Sequence, residues 1–490
     1  MINRILKSIS RLSSPVRPIY LVGGALRNIC PCAPRPAVIR KKLTGSGIED
    51  FDFVLRFGAL EIARKIAGRF NGRLVRLDEE RRIFKVVVKT PEANLSLDFA
   101  NFQGNAIEQD LSRRDFTMNA IALNMTNMSM IDPYSGSRDI RSKTIKAINE
   151  KNLAEDPLRT LRAFRFYAEL GFTISPQTLK WIRKNASRIK RVSGERVRME
   201  LMKIMRTGSA ARSLILMDEV RLLTAILRPL ERSRNFARVY HPRGGVLGHM
   251  IECLECFEHN VKQIHLRLPK IHSQMHKYLF EVISGGFPRY TTLKLAALLH
   301  DIAKPHCAKR IEKRLRFFGH EHKGASIAAK ECQRLRLSRG EIELISKAIM
   351  GHLRPGGLSE QPRVTDRALY RFFKDFDEDG VGVLLVALAD HQSYMRKQKR
   401  WDKKERSVTV VTEMIERYWK EQKIIKPVKL VDGNDVMKLL KIPSGPMIGQ
   451  ILERIRSFQA EKKITTRSEA LDEAKKFLAQ DKRRKTCFAR

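Results

Sequence analysis

Apolar residues change their spacing near residue 150. Before it they come in short, alternating runs; beyond it they recur at helical spacing. Ile19 to Leu26 reads as a strand running into a glycine turn, and residues 59–69 read as a helix. Three strand-like runs follow: Gly72 to Leu77, Ile83 to Lys89 and Leu95 to Ala100. Glu108 to Leu123 reads as a helix and Asp132 to Gly136 as a turn. The expected fold class is α+β, a head with a mixed sheet and helices followed by an all-helical remainder. No repeat of fixed period is present. Gly244-Gly245, Gly285-Gly286 and Gly356-Gly357 punctuate the middle. Arg396 to Arg406 is charge-dense and suits a linker or a solvated helix, and residues 481–490 form a basic end. The expected domains are a head over 1–145, a helical neck over 146–235, a third domain over 240–400 and a basic helical tail over 401–490.

Charge narrows the class of partner. The chain has 490 residues, room for about three domains, with 95 Lys and Arg against 53 Asp and Glu. The resulting net charge of +42 points to a polyanion, most simply nucleic acid. No run approaches 18 apolar residues, so no membrane span is expected. The first 48 residues carry no acidic side chain, a composition shared with transit peptides. A strand already begins at Ile19, so a basic N-terminal arm is expected instead. Seven cysteines in so long a chain do not form a disulfide framework, and a reducing cytoplasm fits them.

Candidate chemistry starts at Asp50-Phe51-Asp52. In a strand, residues two apart share a face, so the two carboxylates project side by side. Such a pair repels unless a cation joins it, and Mg²⁺ favours oxygen ligands. Leu95 to Ala100 alternates, turning Asp98 and Ser96 away from the apolar face, where a neighbouring strand can bring Asp98 to the pair. Three carboxylates can hold two metal ions for phosphoryl or nucleotidyl transfer. Gly23-Gly24 lets backbone amides approach phosphate oxygens. Arg113-Arg114-Asp115-Phe116-Thr117-Met118-Asn119-Ala120 adds forked phosphate donors, with Asp115 able to orient an arginine or accept from a sugar hydroxyl. Asn119 lies four residues beyond it, one helical turn away.

These strings, together with Val22-Gly23-Gly24-Ala25-Leu26-Arg27 and Asp132-Pro133-Tyr134-Ser135-Gly136, occur in the order of the motifs of class II tRNA nucleotidyltransferases and bacterial poly(A) polymerases, which they resemble. The resemblance implies a polymerase-β-like nucleotidyltransferase head. It also implies that Asp50 and Asp52 bind catalytic Mg²⁺, where Asp98 joins them as the third catalytic carboxylate, and that Gly23, Gly24 and Arg27 approach the triphosphate. Asn28 stands where the family usually has Asp, which removes a charge from a subsidiary contact. Ala154 to Phe166 reads as the beginning of one helix with Pro157 in its first turn, and on it Asp156 and Arg159, three residues apart, offer an acceptor and donors that match a base's Watson–Crick edge. The string resembles the family's Glu-Asp-x-x-Arg motif, which implies that Asp156 and Arg159 recognise the base with Arg162 nearby. Val192 to Leu201 also matches the family and reads as mainly structural.

A second constellation lies further on. His249, His300, Asp301, His320, His352 and Asp390 have the residue types and order of the HD phosphohydrolase domain, a resemblance that implies a divalent metal centre and hydrolysis of phosphomonoesters or 2′,3′-cyclic phosphates. Cys253-x-x-Cys256 reads as two helix cysteines rather than a zinc site, and Cys30-Pro31-Cys32 as a loop feature. In the tail, Gly445 and Gly449 flank the start of a helix expected over 450–463, and the segment reads as an RNA-backbone contact. The expected activity is template-independent addition of C and/or A, from CTP and ATP, to the 3′ end of tRNA. A poly(A) polymerase or a CC-only or A-only enzyme is the alternative within the family. An RNA-binding HD phosphohydrolase is the alternative outside it.

Overall fold

Seven strands form the N-terminal sheet in the order β3-β4-β5-β2-β1-β6-β7. They are β1 (Ile19–Val22), β2 (Asp50–Leu55), β3 (Arg73–Asp78), β4 (Ile83–Lys89), β5 (Asn94–Asn101), β6 (Ala122–Asn124) and β7 (Met130–Ile131). The computed structural model describes residues 1–29, 43, 48–80, 82–90, 94–358, 363–395 and 401–488. The chain divides into two compact units, one of residues 1–204 with 216–226 and one of residues 205–215 with 227–490. Among the described residues no helix is long and apolar enough to cross a membrane.

In the first unit β2 runs parallel to β5 and antiparallel to β1. The alternation of Asp50 to Leu55 turns Phe51 and Phe53 into the core, where Phe53 stacks on Phe99 of β5 at 5.2 Å between ring centres. These rings form a rigid floor beneath the carboxylates on the opposite face. Helix Ala59–Arg69 covers the apolar side with Ile62, Ala63 and Ile66 fully buried. Residues 2–12 of the basic arm are folded against the head. They form a helix that buries Ile5, Leu6 and Ile9 and is tied down by Ser10 Oγ donating to the Met125 carbonyl at 2.7 Å. Its apolar stripe faces the core while Arg4, Lys7 and Arg11 stay exposed.

Two helix expectations need correction. Residues 108–123 are not one helix: Ile107–Ser112 is helical, Phe116 is extended, Thr117–Asn119 is a single 3₁₀ turn, and Ala122–Asn124 joins the sheet as β6. Asp115 competes with helix formation by accepting from the Phe116 N–H at 2.8 Å, and Thr117 N–H donates to the Lys146 carbonyl. The helix expected to start near Ala154 is two helices, Glu150–Glu155 and Leu158–Leu170, with Asp156 extended between them. Pro157 disfavours helical backbone at the residue before it, which sets the break.

The second unit is helical apart from a two-stranded hairpin, Lys309–Ile311 with Arg314–Arg316. Helices Gly245–Lys262, Arg289–Leu299, His320–Arg334, Arg339–Gly351 and Asp379–Met395 pack together. Arg289–Leu299 is buried on every side: Leu295 to Leu299 are apolar, and its two cations are paired, Arg289 with Glu281, Glu378 and Asp379 and Lys294 with Glu258. The tail helices Gly433–Leu440, Pro446–Ala460 and Arg467–Phe488 share a small core of Val436, Ile451, Ile455 and Ala470. The tail helix thus starts at Pro446, four residues before the expected start, because Pro suits the first helical turn. Cys30 to Cys32 and residues 396–400 of the charge-dense stretch lie outside the described residues; from Trp401 the stretch is helical.

Candidate active sites

The parallel register of β2 and β5 sets Asp52 opposite Asp98 and Asp50 opposite Ser96. The three carboxylates therefore gather on one face of the sheet. Lys85 of β4 is opposite Asp98, with its Nζ 3.2 Å from Asp98 Oδ1 and donating to Ser96 Oγ at 2.8 Å. Asp52 keeps a solvent-facing edge although protein crowds it. That crowding and the Asp98 charge push its pKa up. Burial likewise raises Asp98, against the pull of Lys85. Lys85 is the one cation at ion-pair distance from the buried Asp98 Oδ1 among the described residues. Crowded, under-neutralised carboxylates of this kind fit a divalent cation.

β1 is followed by Gly23, whose φ of +76° favours glycine. A Cβ there would lie 2.6 Å from Asp52 Oδ2. Gly23→Ala is accordingly expected to displace Asp52 and reduce nucleotide addition about a hundredfold, the scale of a 1 Å misplacement. Steady-state extension assays with circular dichroism as the fold control check this.

Gly23 and Gly24 border a polar cleft of about 460 Å³. Arg27, Asp52, Arg114, Asp115, Asn119, Asp156, Arg159 and Arg162 line it as well. A hydrogen-bond chain organises these groups. Arg27 Nη1 donates to Asn119 Oδ1 at 2.9 Å, Asn119 Nδ2 donates to Asp115 Oδ1 at 2.9 Å, and Arg162 Nη2 lies 2.7 Å from Asp115 Oδ2. Arg114 is held by Asp110 at 3.0 Å. The Asp115–Asn119 contact is made across the 3₁₀ turn rather than along a helix face. Asp115 thus orients an arginine, one of the two roles its sequence allowed.

Burial alone would raise the Asp115 carboxyl. Arg162, the Asn119 amide and the Phe116 N–H outweigh it and hold the group below the ordinary carboxylate range. A depressed native pKa contributes stability that is present above the unfolded value, near pH 4, and is lost as pH falls through the native value. Acid should therefore destabilise the wild type more than Asp115→Asn, which has no such proton to take up. Denaturant midpoints at pH 7 and pH 3 measure the difference. At pH 7, Asp115→Ala should cost about 1–3 kcal/mol, because the buried Asn119 amide and the Phe116 N–H lose their acceptor while water can reach the partly exposed Arg162.

Asp156 and Arg159 are neighbours, but Arg159 Nε lies 3.9 Å from Asp156 Oδ2. Arg196, from the segment read as structural, comes closer, with Nη2 at 3.2 Å. The Arg159 guanidinium donates to the Asn152 carbonyl at 3.2 Å. Sequence reasoning assigned no role to Arg165, Phe166 or Glu169, which also line the cleft. Their signal is positional: Arg159, Arg162, Phe166 and Glu169 recur at helical spacing on Leu158–Leu170. Phe166 is a buried platform with the Arg165 and Arg27 guanidiniums 4.3 and 4.8 Å from its ring centre. Burial and the Arg165 charge lower the Arg27 pKa. Asp132 accepts from the Gly136 and Ser137 N–H groups at 2.7 and 2.9 Å, so it caps helix Gly136–Arg141. The Asn28 side chain lies outside the described residues.

In the second unit six side chains from five helical elements converge. His249, His300, Asp301 and Asp390 form one potential metal-ligand group, and Asp301, His320 and His352 form another, so Asp301 is shared. His249 Nε2 lies 3.0 Å from Asp390 Oδ1 and 3.2 Å from Asp301 Oδ2. His300 Nε2 is 3.2 Å from both carboxylates, and His320 Nε2 is 3.2 Å from Asp301 Oδ1. The outer ring nitrogens are anchored. Nδ1 of His300, His320 and His352 faces the carbonyls of Ala297, Phe317 and Ile349 at 2.9, 2.7 and 2.6 Å, and His249 Nδ1 meets Ser393 Oγ at 3.1 Å. That fixes each Nε2 inward, the orientation a metal ligand needs. Both Asp301 oxygens, Asp390 Oδ1 and Nε2 of His320 and His352 are buried and crowd one another at ion-pair distance without directed hydrogen bonds among them. This donor set fits divalent ions. Burial and the nearby His300 push His352 down to about 4, keeping its lone pair available. Lys304, unremarked in the sequence, lies with Nζ 2.5 Å from Asp301 Oδ2 and donates to Tyr394 Oη at 2.7 Å. Cys253 and Cys256 are buried and not in a disulfide, and neither belongs to a ligand group among the described residues.

Comparisons with known proteins agree with this layout. Residues 19–146 match the poly A polymerase head domain, 171–233 a probable RNA- and SrmB-binding site of polymerase A, and 272–432 the HD domain. His249 thus precedes the HD match. The chain is 30% identical to a CC-adding tRNA nucleotidyltransferase of Synechocystis, over 92% of this chain and 91% of that protein. It is 28% identical to an A-adding tRNA nucleotidyltransferase of Deinococcus radiodurans, over 92% and 93%. The fold is that of the Thermotoga maritima CCA-adding enzyme solved with tRNA, with a TM-score of 0.61 at 20% identity, covering 97% of this chain and 98% of that one. Across nearly its whole length, the chain belongs to the tRNA nucleotidyltransferase family.

Proposed function

We propose that the chain extends the 3′ end of tRNA with C, A or both, from CTP and ATP. The cleft that gathers Asp52, the glycine turn, the arginine chain and the Asp156/Arg159 pair supports this reading most strongly. In this account Asp50, Asp52 and Asp98 hold divalent ions, Mg²⁺ as the physiological choice. The ions would neutralise triphosphate charge and favour ionisation of the terminal hydroxyl. Gly23, Gly24, Arg27 and Arg114 hold the triphosphate. Asp115 and Asn119 fix Arg162 and Arg27, and Asp156 with Arg159 meets the base. The tRNA 3′-hydroxyl attacks the α-phosphate, the bond to the β-phosphate breaks, and pyrophosphate leaves.

Domain boundaries near residues 145, 235 and 400 belong to the same reading, with the neck and the basic tail along the RNA. A cytoplasmic location, where cysteines stay reduced, belongs to it too. The HD cluster would hold two divalent ions through His249, His300, Asp301, His320, His352 and Asp390. They would supply Lewis acidity for hydrolysis of phosphomonoesters or cyclic phosphates by water.

Base recognition gives the most specific test. Asp156→Ala removes the acceptor for an exocyclic amine, a contact worth about 1–3 kcal/mol when lost. Discrimination of CTP and ATP against GTP and UTP should fall about tenfold or more, measured as kcat/KM ratios on tRNA lacking its terminal nucleotides. Unchanged ratios would remove Asp156 from base selection.

A further inference from the structure

Asp52 divides the carboxylate face of the sheet into two sides. β1 lies on one side of β2, and β5 and β4 lie on the other. The polar cleft belongs to the β1 side: Gly23, Gly24 and Asp52 line it, and among the described residues none of β4 or β5 does. Lys85 stands on the far side, paired across the strands with Asp98, which in turn is paired with Asp52. Its ammonium lies 3.2 Å from Asp98 Oδ1 and donates to Ser96 Oγ at 2.8 Å. An ammonium has three N–H donors, so at least one is left over among the described residues. The side chain is 29% exposed, enough for a large ligand to reach it. The same face carries two further cations. Strand alternation puts Lys89 on the side of β4 that carries Lys85, and Arg73 of β3 is paired with Val87 between them. Arg73 and Lys89 are both exposed.

In-line displacement puts the attacking hydroxyl and the departing pyrophosphate on opposite sides of the α-phosphorus. With the triphosphate held at the glycine turn, the tRNA end has to enter over β5 and β4. We infer that Lys85 binds the tRNA end: its ammonium takes the phosphodiester that joins the last two nucleotides and so holds the terminal 3′-hydroxyl near Asp98 and Asp52. Lys89 and Arg73 extend the track for the preceding phosphates. Standing outside the nucleotide cleft, Lys85 serves C and A addition alike. A counter-ion for Asp98 alone would need neither an exposed ammonium nor cations continuing along the face. The inference rests on the reading of the chain as an enzyme that extends tRNA.

The test uses the full chain and two versions of a tRNA ending before CCA. One is natural, and the other carries an uncharged methylphosphonate in place of its last phosphodiester. Binding of both by wild type, Lys85→Ala, Lys85→Arg and Lys65→Ala is measured by gel shift, and KM for CTP and ATP by extension. Lys65 pairs with Glu61 on the helix that covers the apolar side of the sheet, so Lys65→Ala controls for net charge. The methylphosphonate should weaken wild-type binding about tenfold, the scale of one hydrogen bond to a charged group. Lys85→Ala should lose the same factor on natural tRNA, lose nothing more on the methylphosphonate tRNA, and keep its KM for both nucleotides. Lys85→Arg should bind natural tRNA more tightly than Lys85→Ala, because it restores the charge, and Lys65→Ala should match wild type. Equal methylphosphonate penalties in wild type and Lys85→Ala would overturn the contact. So would a raised KM for nucleotides with tRNA binding unchanged, which would leave Lys85 a counter-ion of Asp98. A wild type that binds tRNA but extends it with no nucleotide sinks the parent reading, whereas the binding comparison still judges Lys85.

Discussion

Asp52→Asn is expected to abolish nucleotide addition, lowering kcat by about a thousandfold or more. Asp52 sits where β1, β2 and β5 meet, opposite Asp98 and against the Gly23 backbone. Metal-borne charge neutralisation in phosphoryl transfer is worth several kcal/mol, and each 1.36 kcal/mol is tenfold in rate. Asparagine keeps the shape and removes the charge that holds the ion, so tRNA affinity should change little while turnover disappears. Relief of repulsion with Asp98 should leave the metal-free head no less stable than wild type, because burial and Asp98 already penalise the Asp52 charge. Single-turnover extension and thermal melts with and without Mg²⁺ read both effects. A variant that still extends tRNA at near wild-type rate would place the ions elsewhere.

The second large effect is at Asp301. Both ligand groups of the HD cluster contain it, and no other residue is common to them. Asp301→Asn should therefore lower occupancy of both metal positions and reduce phosphoester hydrolysis about a thousandfold or more. His320→Ala, which touches one group only, should retain more metal. Asparagine is preferred to alanine because Lys304 is buried against Asp301, and the amide oxygen keeps a hydrogen-bond acceptor for the ammonium. Elemental analysis of metal content and hydrolysis of a 2′,3′-cyclic nucleotide check the outcome. tRNA extension should persist, since the head carboxylates lie in the other compact unit.

What the sequence could disclose depended on locality. Period-two alternation sufficed to put Asp50 and Asp52 on one face and to turn Asp98 away from the core, because strand geometry is local. The parallel register that sets Asp98 opposite Asp52 is a long-range property, and so is the approach of Lys85. The error over residues 108–123 has a similar source. Acidic and apolar spacing there suits a helix, yet the Asp115 side chain and pairing of β6 with β1 outweigh propensity. In the cleft, residues with a motif were found and residues that only complete a helix face, such as Arg165 and Phe166, were not. Arg196 reaches Asp156 from about forty residues away, a contact no spacing reveals. The HD ligands were legible by type and order, but the sharing of Asp301 between two groups emerges only when five helical elements converge.

The most direct measurement of the central claim is the product ladder. Purified protein is incubated with tRNA ending before CCA, with CTP, with ATP or with both, and products are resolved to single nucleotides. The account predicts divalent-ion-dependent extension by C, A or both that stops at a defined length. Absence of extension with either Mg²⁺ or Mn²⁺, in every nucleotide combination, would contradict it.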